Sequence, residues 1–253
     1  MQVGDEPPIV FDLGTGLRPL GHALEEHYGL DAPIELTAFL THIHWDHIIG
    51  LPFCRPVLRL GGTMEVFGPP QDGKSLTEVM DRVVVPPYFP VKVDELHGAI
   101  GFNEVSDDVI AVGSAKVTVR RVPHVGTTLG FRVDAGGCSV AYVSDHQAPA
   151  DRSQVDKAVL ELCDGVDLAI HDAQYTEEEF AAKATWGHST FSYAVHVAAE
   201  AGARRLALFH HDPVHSDEEM DQLLGESRAH SEASRLQGIV AAAEGLSLDL
   251  ARR

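Results

Sequence analysis

The sequence predicts an α/β protein, because short apolar segments alternate with segments that carry helix signals along its 253 residues. Between residues 101 and 144 the pattern is mostly β, with Asp, Gly and Pro at the turns. Beyond residue 150, helical segments alternate with apolar strands. Several predicted strands end in polar residues, and such strand ends are where functional side chains are expected.

The first hundred residues contain three predicted strands and one helix. Residues 9–12 form a short buried strand, a helix follows over about 19–28, and residues 34–41 form a second strand. A turn, a third strand and another turn occupy residues 61–70. Three prolines between residues 85 and 90 remove backbone donors and fix φ, so this stretch is expected to be a loop with exposed aromatics at the rim of an active site.

The remaining elements are predicted from turn residues and helix caps. Five strands are expected at 102–105, 109–112, 116–122, 128–133 and 139–143, and four more at 166–170, 206–209, 239–242 and 246–250. Helices are expected at 151–163, at 189–201 and from Ser216 onward. Since no repeat or linker interrupts the chain, a single domain over residues 1–253 is expected.

The composition of the chain limits the classes of molecule it is expected to bind and its expected cellular location. The net charge of −19, from 38 acidic and 19 basic residues, repels nucleic acids and anionic membranes, so neither tRNA nor a membrane is expected as a partner. A small molecule is the expected substrate, and an anionic one is compatible with this charge where bound cations supply a local positive field. Cys54, Cys138 and Cys163 are widely spaced and read as reduced, buried apolar residues. Neither a membrane span nor a secretory signal is found, and the cytoplasm is the expected location.

The most informative segment lies directly after the second strand. His42, His44, Asp46 and His47 fall within six consecutive positions. Residues two apart in an extended strand end point the same way, so His42 and His44 can hold one ion, and a turn through Trp45 directs the other two towards a second ion. This donor set suits zinc, and also manganese or iron, far better than calcium or magnesium. Without a metal, such clustering would crowd groups that each need a partner.

Further polar residues follow later strands and are candidates for the same site. Because residues at strand ends can converge on one edge of a sheet, four positions are expected to come together: His124, Asp145, the pair His171-Asp172 and the pair His210-His211.

Together these residues resemble the metallo-β-lactamase superfamily, whose H-x-H-x-D-H motif appears as His42, His44, Asp46 and His47. The resemblance implies a four-layer αβ/βα sandwich in which two mixed β-sheets are flanked by helices. It implies two divalent metal ions, zinc first, with manganese or iron as alternatives. One ion would be held by His42, His44 and His124, the other by Asp46, His47 and His210, with Asp145 between them.

Two assignments have alternatives. His211 leaves the last ligand ambiguous by one residue, and the apolar strand that leads directly into His210 favours His210. Asp145 also fits a turn residue, although its position after an apolar strand favours a ligand. Relatives of this branch usually open with a strand and a glycine-rich loop before the segment that begins here at Ile9, so the first strand is expected to be absent or shortened.

Hydrolysis is the chemistry expected of such a centre, because two metal ions lower the pKa of a bridging water and create a hydroxide nucleophile. His44 stands where the oxygen-reducing diiron branch has glutamate, which argues against a redox role. The segment at 171–174 resembles the H-E-A-T motif of the phosphodiesterase branch, and 187–190 matches its H-S-T motif. The candidate catalytic residues are therefore Asp46, Asp172 and His188, the last two having a structural turn and a helix cap as alternatives.

The substrate is expected to be a small phosphodiester or a cyclic phosphate. The tRNA 3′-end endonucleases of this branch carry a long arm between the equivalents of His124 and Asp145, and only twenty residues separate these positions here. The segment at 124–131 looks similar to that of the phosphoribosyl cyclic phosphodiesterases. A lactonase, thioesterase or sulfatase with the same centre and a non-catalytic metal-bound sensor are the alternatives. Apolar residues at 83–89 suggest a homodimer.

Overall fold

The computed structural model describes residues 1–30, 32–71 and 73–250 and divides the chain into two compact units, Met1–Ser106 and Asp107–Arg253. Each unit has its own sheet and helices, so the α/β prediction is confirmed. The single domain stays a prediction. In the part of the chain that is described, no helix is long and apolar enough to cross a membrane.

The first unit contains a four-stranded sheet in which the strands follow chain order. Its strands are β1 (Ile9–Phe11), β2 (Glu35–Phe39), β3 (Thr63–Gly68) and β4 (Ala99–Glu104). All three pairings are parallel, which corrects the expectation that both sheets are mixed. The reason is the connections, since parallel neighbours require crossovers and a helix lies in each of them. These helices are α1 (Leu17–Tyr28), α2 (Trp45–Ile48) and α3 (Leu76–Val83).

The core of the first unit fixes the end of β2. Leu36, Ala38 and Leu40 are buried from solvent and pack in one apolar cluster with Met64 and Val66 of β3. Alternate residues of a strand face the same side, so this packing sets the register of the chain as it leaves β2 and enters the histidine segment.

The second unit contains a seven-stranded mixed sheet in the order β11-β10-β9-β8-β7-β6-β5. Strands β5 to β8 pair antiparallel, whereas β8 to β11 pair parallel. The ranges are β5 (Val109–Val112), β6 (Ala115–Val122), β7 (Thr128–Ala135), β8 (Cys138–Val143), β9 (Leu168–Asp172), β10 (Arg205–Phe209) and β11 (Gly238–Ala241). Because β7 runs opposite to both neighbours, β6, β8, β9 and β10 all end at one edge of the sheet.

Four helices accompany this sheet: α4 (Lys157–Cys163), α5 (Glu177–Lys183), α6 (Phe191–Glu200) and α7 (Asp217–Ala229). Ser216 caps α7 through the backbone N–H of Glu219, as the sequence predicts. Helix α6 is buried along most of its length and packs with the apolar side chains of β8, β9 and β10. It fixes the backbone of the segment that precedes it, residues 187–190.

Two predicted elements are wrong. The helix expected from residue 151 begins only at Lys157, because Asp151 accepts hydrogen bonds from Ser153 in a local turn and Asp156 provides the N-cap. Residues 246–250 are not a strand. These residues have no regular secondary structure, and Leu248 and Leu250 pack, partly buried, against Val140, Leu168 and Ala207 of the larger sheet.

Candidate metal centre

The first group of metal-binding donors lies at the carboxyl end of β2. His42 Nε2 lies 2.7 Å from His44 Nδ1, and the rings of His42 and His47 are 4.3 Å apart. His47 Nε2 lies 3.1 Å from Asp46 Oδ2. His42 and His47 are buried, whereas the Asp46 side chain is 61% exposed. Three imidazoles and one carboxylate thus stand together at a strand end.

Asp12 orients this group, and sequence reasoning missed it. It follows β1, whose partner β2 is parallel, so both strands end at the same edge. Its Oδ1 atom accepts hydrogen bonds from the Thr41 N–H at 2.7 Å and the Thr41 hydroxyl at 2.8 Å, and its Oδ2 atom lies 2.9 Å from His47 Nδ1. Asp12 adopts a positive φ of 59°, which brings its carboxylate to these partners.

These contacts fix the tautomers of two imidazoles. Since the Thr41 hydroxyl donates to Asp12, its oxygen accepts from His42 Nδ1, 3.0 Å away. His47 Nδ1 likewise donates to the Asp12 carboxylate. In both rings the lone pair is then on Nε2, which is the form that binds a metal, and a carboxylate behind a histidine is the arrangement found at metal sites.

The second group lies at the shared edge of the larger sheet. His124 follows β6, Asp145 follows β8, and His210 follows β10. The buried Asp145 Oδ2 atom is 3.8 Å from His124 Nε2 and 3.5 Å from His210 Nε2. These three are the residues that the sequence predicts. They come together because β6, β8 and β10 run in the same direction and end at the same edge of the sheet.

Each histidine of the second group also has a partner at Nδ1. His124 Nδ1 donates to the Gly187 carbonyl at 2.6 Å, which leaves Nε2 as the ligand atom. The Gln174 side-chain amide lies 3.0 Å from His210 Nδ1. Metal binding through His210 Nε2 requires this amide to present its oxygen, and the two ends of an amide are nearly isosteric. Gln174 is a second orienting residue that sequence reasoning missed.

His211 lies on the other side of the backbone from His210. Its ring stacks on Phe191 at 5.9 Å with an interplanar angle of 2°, and burial lowers its pKa. His210, in contrast, faces Asp145 and its ring stacks on His188 at 5.0 Å. The geometry therefore supports the choice of His210 over His211.

Asp172 is the centre of a buried network next to this group. Its Oδ2 atom lies 2.9 Å from His188 Nδ1 and accepts the His146 N–H at 3.0 Å. Its Oδ1 atom accepts the N–H groups of Gln174 and Ser189, both at 3.1 Å. A fully buried carboxylate needs such donors, and four of them hold this one in a single orientation. The side chains of Asp172 and His188, which the sequence singles out, therefore do meet.

A pair of neutral histidines packs next to this network. His146 Nδ1 lies 3.1 Å from His171 Nε2, and both rings are fully buried. Burial, with the proximity of His171 and His124, holds the pKa of His146 well below its usual value. Burial also lowers the pKa of His171. The Ser189 hydroxyl donates to the His146 carbonyl at 2.5 Å, which ties residues 188–190 to the segment after Asp145.

The donor chemistry of both groups fits divalent metal ions. Imidazole nitrogens with oriented Nδ1 partners and carboxylate oxygens, grouped at the carboxyl ends of strands, are the ligands that zinc and related ions take. His42 Nε2 and His44 Nδ1 lie 2.7 Å apart, so two potential ligand atoms converge on one position. An α/β chain with such donor groups has the features of a metal-dependent hydrolase.

The comparisons with known proteins agree with this class. A family model described as a beta-lactamase superfamily domain matches residues 9–211, and the chain belongs to this family. Ribonuclease Z of Brevibacillus brevis is 24% identical over 278 residues, covering 90% of this chain and 84% of the relative. The protein is thus a metal-dependent hydrolase with phosphodiesterase-like relatives.

Two solved structures show the same fold. The metallo-β-lactamase fold protein YhfI from Bacillus subtilis is similar with a TM-score of 0.68 and 20% identity, covering 97% of this chain and 88% of its own. The short form of human tRNase Z is similar with a TM-score of 0.62 and 22% identity, covering 84% and 85%. The metallo-β-lactamase fold expected from the sequence is confirmed.

The expectation of a small-molecule substrate without tRNA is wrong. Several relatives that match most of the chain are named ribonuclease Z, and these matches overturn that expectation. The argument from the charge of −19 fails because charges spread over a surface are screened beyond about 10 Å, whereas metal ions act locally. The absence of the arm does not exclude tRNA either, because loops other than the short β7–β8 connection can contact RNA.

Proposed function

We propose that this protein is a metal-dependent phosphodiesterase that cleaves RNA. The observation that carries the proposal is the Asp172–His188 pair, held by four donors next to the metal-binding residues of the second unit. A catalytic role for this pair is what the phosphodiesterase-type motifs predict, and such a role would distinguish this chain from a protein that only binds metal. The ribonuclease Z relatives favour RNA as the source of the phosphodiester.

The proposed ligands are the seven residues that the sequence singles out, and they would hold two ions: His42, His44, Asp46, His47, His124, Asp145 and His210. Zinc is the proposed metal, with manganese and iron as alternatives. When bound, such ions activate water as the nucleophile and neutralise the charge that develops on the attacked phosphate. The orienting contacts from Asp12, Thr41 and Gly187 support this assignment.

The protein's own residues supply positioning and proton transfer. Asp172 accepts from His188 Nδ1, so His188 presents Nε2 for contact with a phosphate oxygen or for passing a proton to the leaving oxygen. The Tyr175 ring packs edge-on against His188 with centroids 5.8 Å apart, and the ring of His124 is 5.2 Å away. These neighbours restrict the imidazole to one plane. Asp46 is assigned to metal binding. Because its side chain is exposed, Asp46 is also assigned to the place where substrate enters the site.

Substrate comparison on the zinc-loaded protein tests the proposal. We expect turnover of a 3′-extended tRNA precursor, of a short single-stranded RNA and of bis-p-nitrophenyl phosphate, and none of a lactone, a thioester or an aryl sulfate. Turnover confined to one of the last three contradicts the phosphodiesterase assignment. Activity on bis-p-nitrophenyl phosphate alone contradicts the RNA assignment. No turnover on any substrate supports the sensor alternative.

Metal analysis tests the ligand set separately. We expect about two ions per chain in the active protein, because the proposed chemistry needs a pair of ions. Elemental analysis after gel filtration measures the ratio, with activity followed in the same fractions. One ion per chain in a fully active preparation contradicts the two-ion proposal and leaves the phosphodiesterase assignment standing.

A further inference from the structure

An exposed tryptophan stands on the loop that carries two contacts of the candidate centre. Trp186 is 60% exposed and immediately precedes Gly187, whose carbonyl accepts the hydrogen bond from His124 Nδ1. His188, the partner of Asp172, is two residues further on. An indole ring of this exposure offers a large apolar surface to solvent, next to residues assigned to metal binding and catalysis.

The loop that carries Trp186 is held rigidly. The Gln147 side chain donates to the Ala184 carbonyl at 2.8 Å and accepts from the Gly187 N–H at 2.8 Å, so it ties the loop on both sides of the tryptophan. The Gln147 N–H in turn donates to the Pro123 carbonyl at 2.7 Å, one residue before His124. A loop fixed at both ends presents its side chain in a defined place, as a binding platform requires.

Neighbouring side chains complete a platform with an apolar and a cationic component. The Lys183 amino group lies 5.7 Å from the centroid of the Trp186 ring and 2.8 Å from Asp212 Oδ2. Val125 is half exposed, and its Cγ2 atom would lie 3.3 Å from a Cβ placed on Gly187. Trp186, Val125 and Lys183, here called the Trp186 platform, thus flank the backbone that receives the His124 hydrogen bond.

We propose that the Trp186 platform is a nucleobase-binding site, in which the base next to the cleaved phosphodiester stacks on the indole ring. The inference rests on the proposed function, since it names how the RNA substrate is held. An aromatic ring binds every base through its π-face, so stacking on Trp186 is compatible with a net charge of −19. Exposed apolar residues scattered singly are common, and the rigid attachment of this one to the His124 and His188 segments is what sets it apart.

Fluorescence tests base binding without any need for turnover. The chain has two tryptophans, so W186F retains only Trp45 and reveals the contribution of Trp186 by difference. We expect adenosine 5′-monophosphate to quench the Trp186 component in a saturable way and ribose 5-phosphate to leave it unchanged. Binding of adenosine 5′-monophosphate by calorimetry with no change in the Trp186 component overturns the proposal.

Kinetics with paired RNA substrates test the same site during cleavage. The two substrates differ only in whether the nucleotide next to the cleaved bond carries a base or is abasic. W186A should raise KM about tenfold for the intact substrate, the loss expected for one base–aromatic stack, and should leave KM for the abasic substrate unchanged. W186F should restore most of the preference because it keeps a ring. The control Y28A removes an exposed aromatic at the end of α1 in the first unit.

The outcomes separate the two proposals. If wild-type protein cleaves RNA and W186A loses no preference for the intact substrate, the platform is wrong and the proposed function stands. If the protein cleaves no RNA, the proposed function fails, and the quenching experiment alone decides whether the platform binds a base. Equal KM increases in W186A for both substrates indicate a general distortion of the loop and overturn the stacking assignment.

Discussion

His188 Nδ1 lies 2.9 Å from Asp172 Oδ2, and three backbone N–H groups hold the same carboxylate. The pair is therefore more than a surface contact, because the carboxylate has one orientation and the imidazole follows it. Replacing Asp172 therefore changes the carboxylate and the orientation of the His188 imidazole at the same time. An asparagine would set its amide hydrogens against some of these donors.

We expect Asp172→Asn to lower kcat on RNA by about 100-fold, the smaller end of the effect of a positioned acid or base, with KM little changed. The cause is loss of the orientation of His188. Initial rates from discontinuous assays at saturating substrate measure kcat, and elemental analysis shows whether metal is retained. Asp151→Asn is the matched control, since Asp151 is exposed and its carboxylate accepts hydrogen bonds from Ser153 in a local turn. A variant with unchanged kcat contradicts the role of the pair.

We expect Asp12→Ala to weaken metal binding about 10–100-fold, the usual effect of removing a partner behind a ligating histidine. The Asp12 carboxylate fixes His47 directly and His42 through Thr41, so both rings lose their tautomer preference. Competition with a chromogenic chelator measures the affinity. Asp5→Ala, in the exposed N-terminal segment, is the control. If both variants hold metal equally well, Asp12 has no orienting role.

The parts of the site that the sequence reveals are those in which the side chain itself carries the signal. His42, His44 and His47 are recognisable from their spacing, and His124 and Asp145 from their position after apolar strands. Asp12 follows a strand in the same way, and that signal was available for it. The hydrogen bonds to Asp172 come largely from backbone N–H groups, which have no sequence pattern, so its burial and its partners are visible only in the structure.

The fold, like the site, has parts that the sequence predicts and parts that it does not. Strand positions follow from apolar alternation, and most are predicted within two residues, whereas the helices α2, α3 and α5 are missed. Helix α2 has four residues, and α3 and α5 have eight and seven, so their apolar periodicity is weak. The capping boxes of α3 and α5, Ser75 with Glu78 and Thr176 with Glu179, are nevertheless readable in the sequence. The substrate was mispredicted because net charge describes the whole surface and not the site.

We expect Gly187→Ala to weaken metal binding as well as folding. Gly187 has a φ of +100°, and a Cβ there would lie 2.4 Å from His124 Nδ1, so the imidazole must move. Gly137→Ala is a matched control, since Gly137 has a φ of +81° and nothing within 4 Å of a Cβ. Backbone strain should cost each variant about 1–2 kcal/mol in urea unfolding. Only Gly187→Ala should lose metal affinity, and equal affinities in the two variants would show that His124 tolerates the displacement.

We expect the free energy of unfolding to fall as the pH rises above 9. Burial raises the pKa of the Cys163 thiol from 9.0 to about 12 and that of Cys54 to about 11. The folded state therefore keeps both protons at a pH where the unfolded chain releases them, so this stability is complete below pH 9 and is lost as the pH rises towards the folded values. Each thiol contributes a slope of about 1.4 kcal/mol per pH unit within that window. Urea unfolding between pH 8 and 10 measures it, and towards pH 10 the buried Tyr175 and Tyr193, whose pKa burial also raises, add to the slope. The double variant C54A/C163A starts less stable because two buried groups are removed, and it should show a smaller slope. A slope equal to that of the wild type assigns the alkaline loss to other groups.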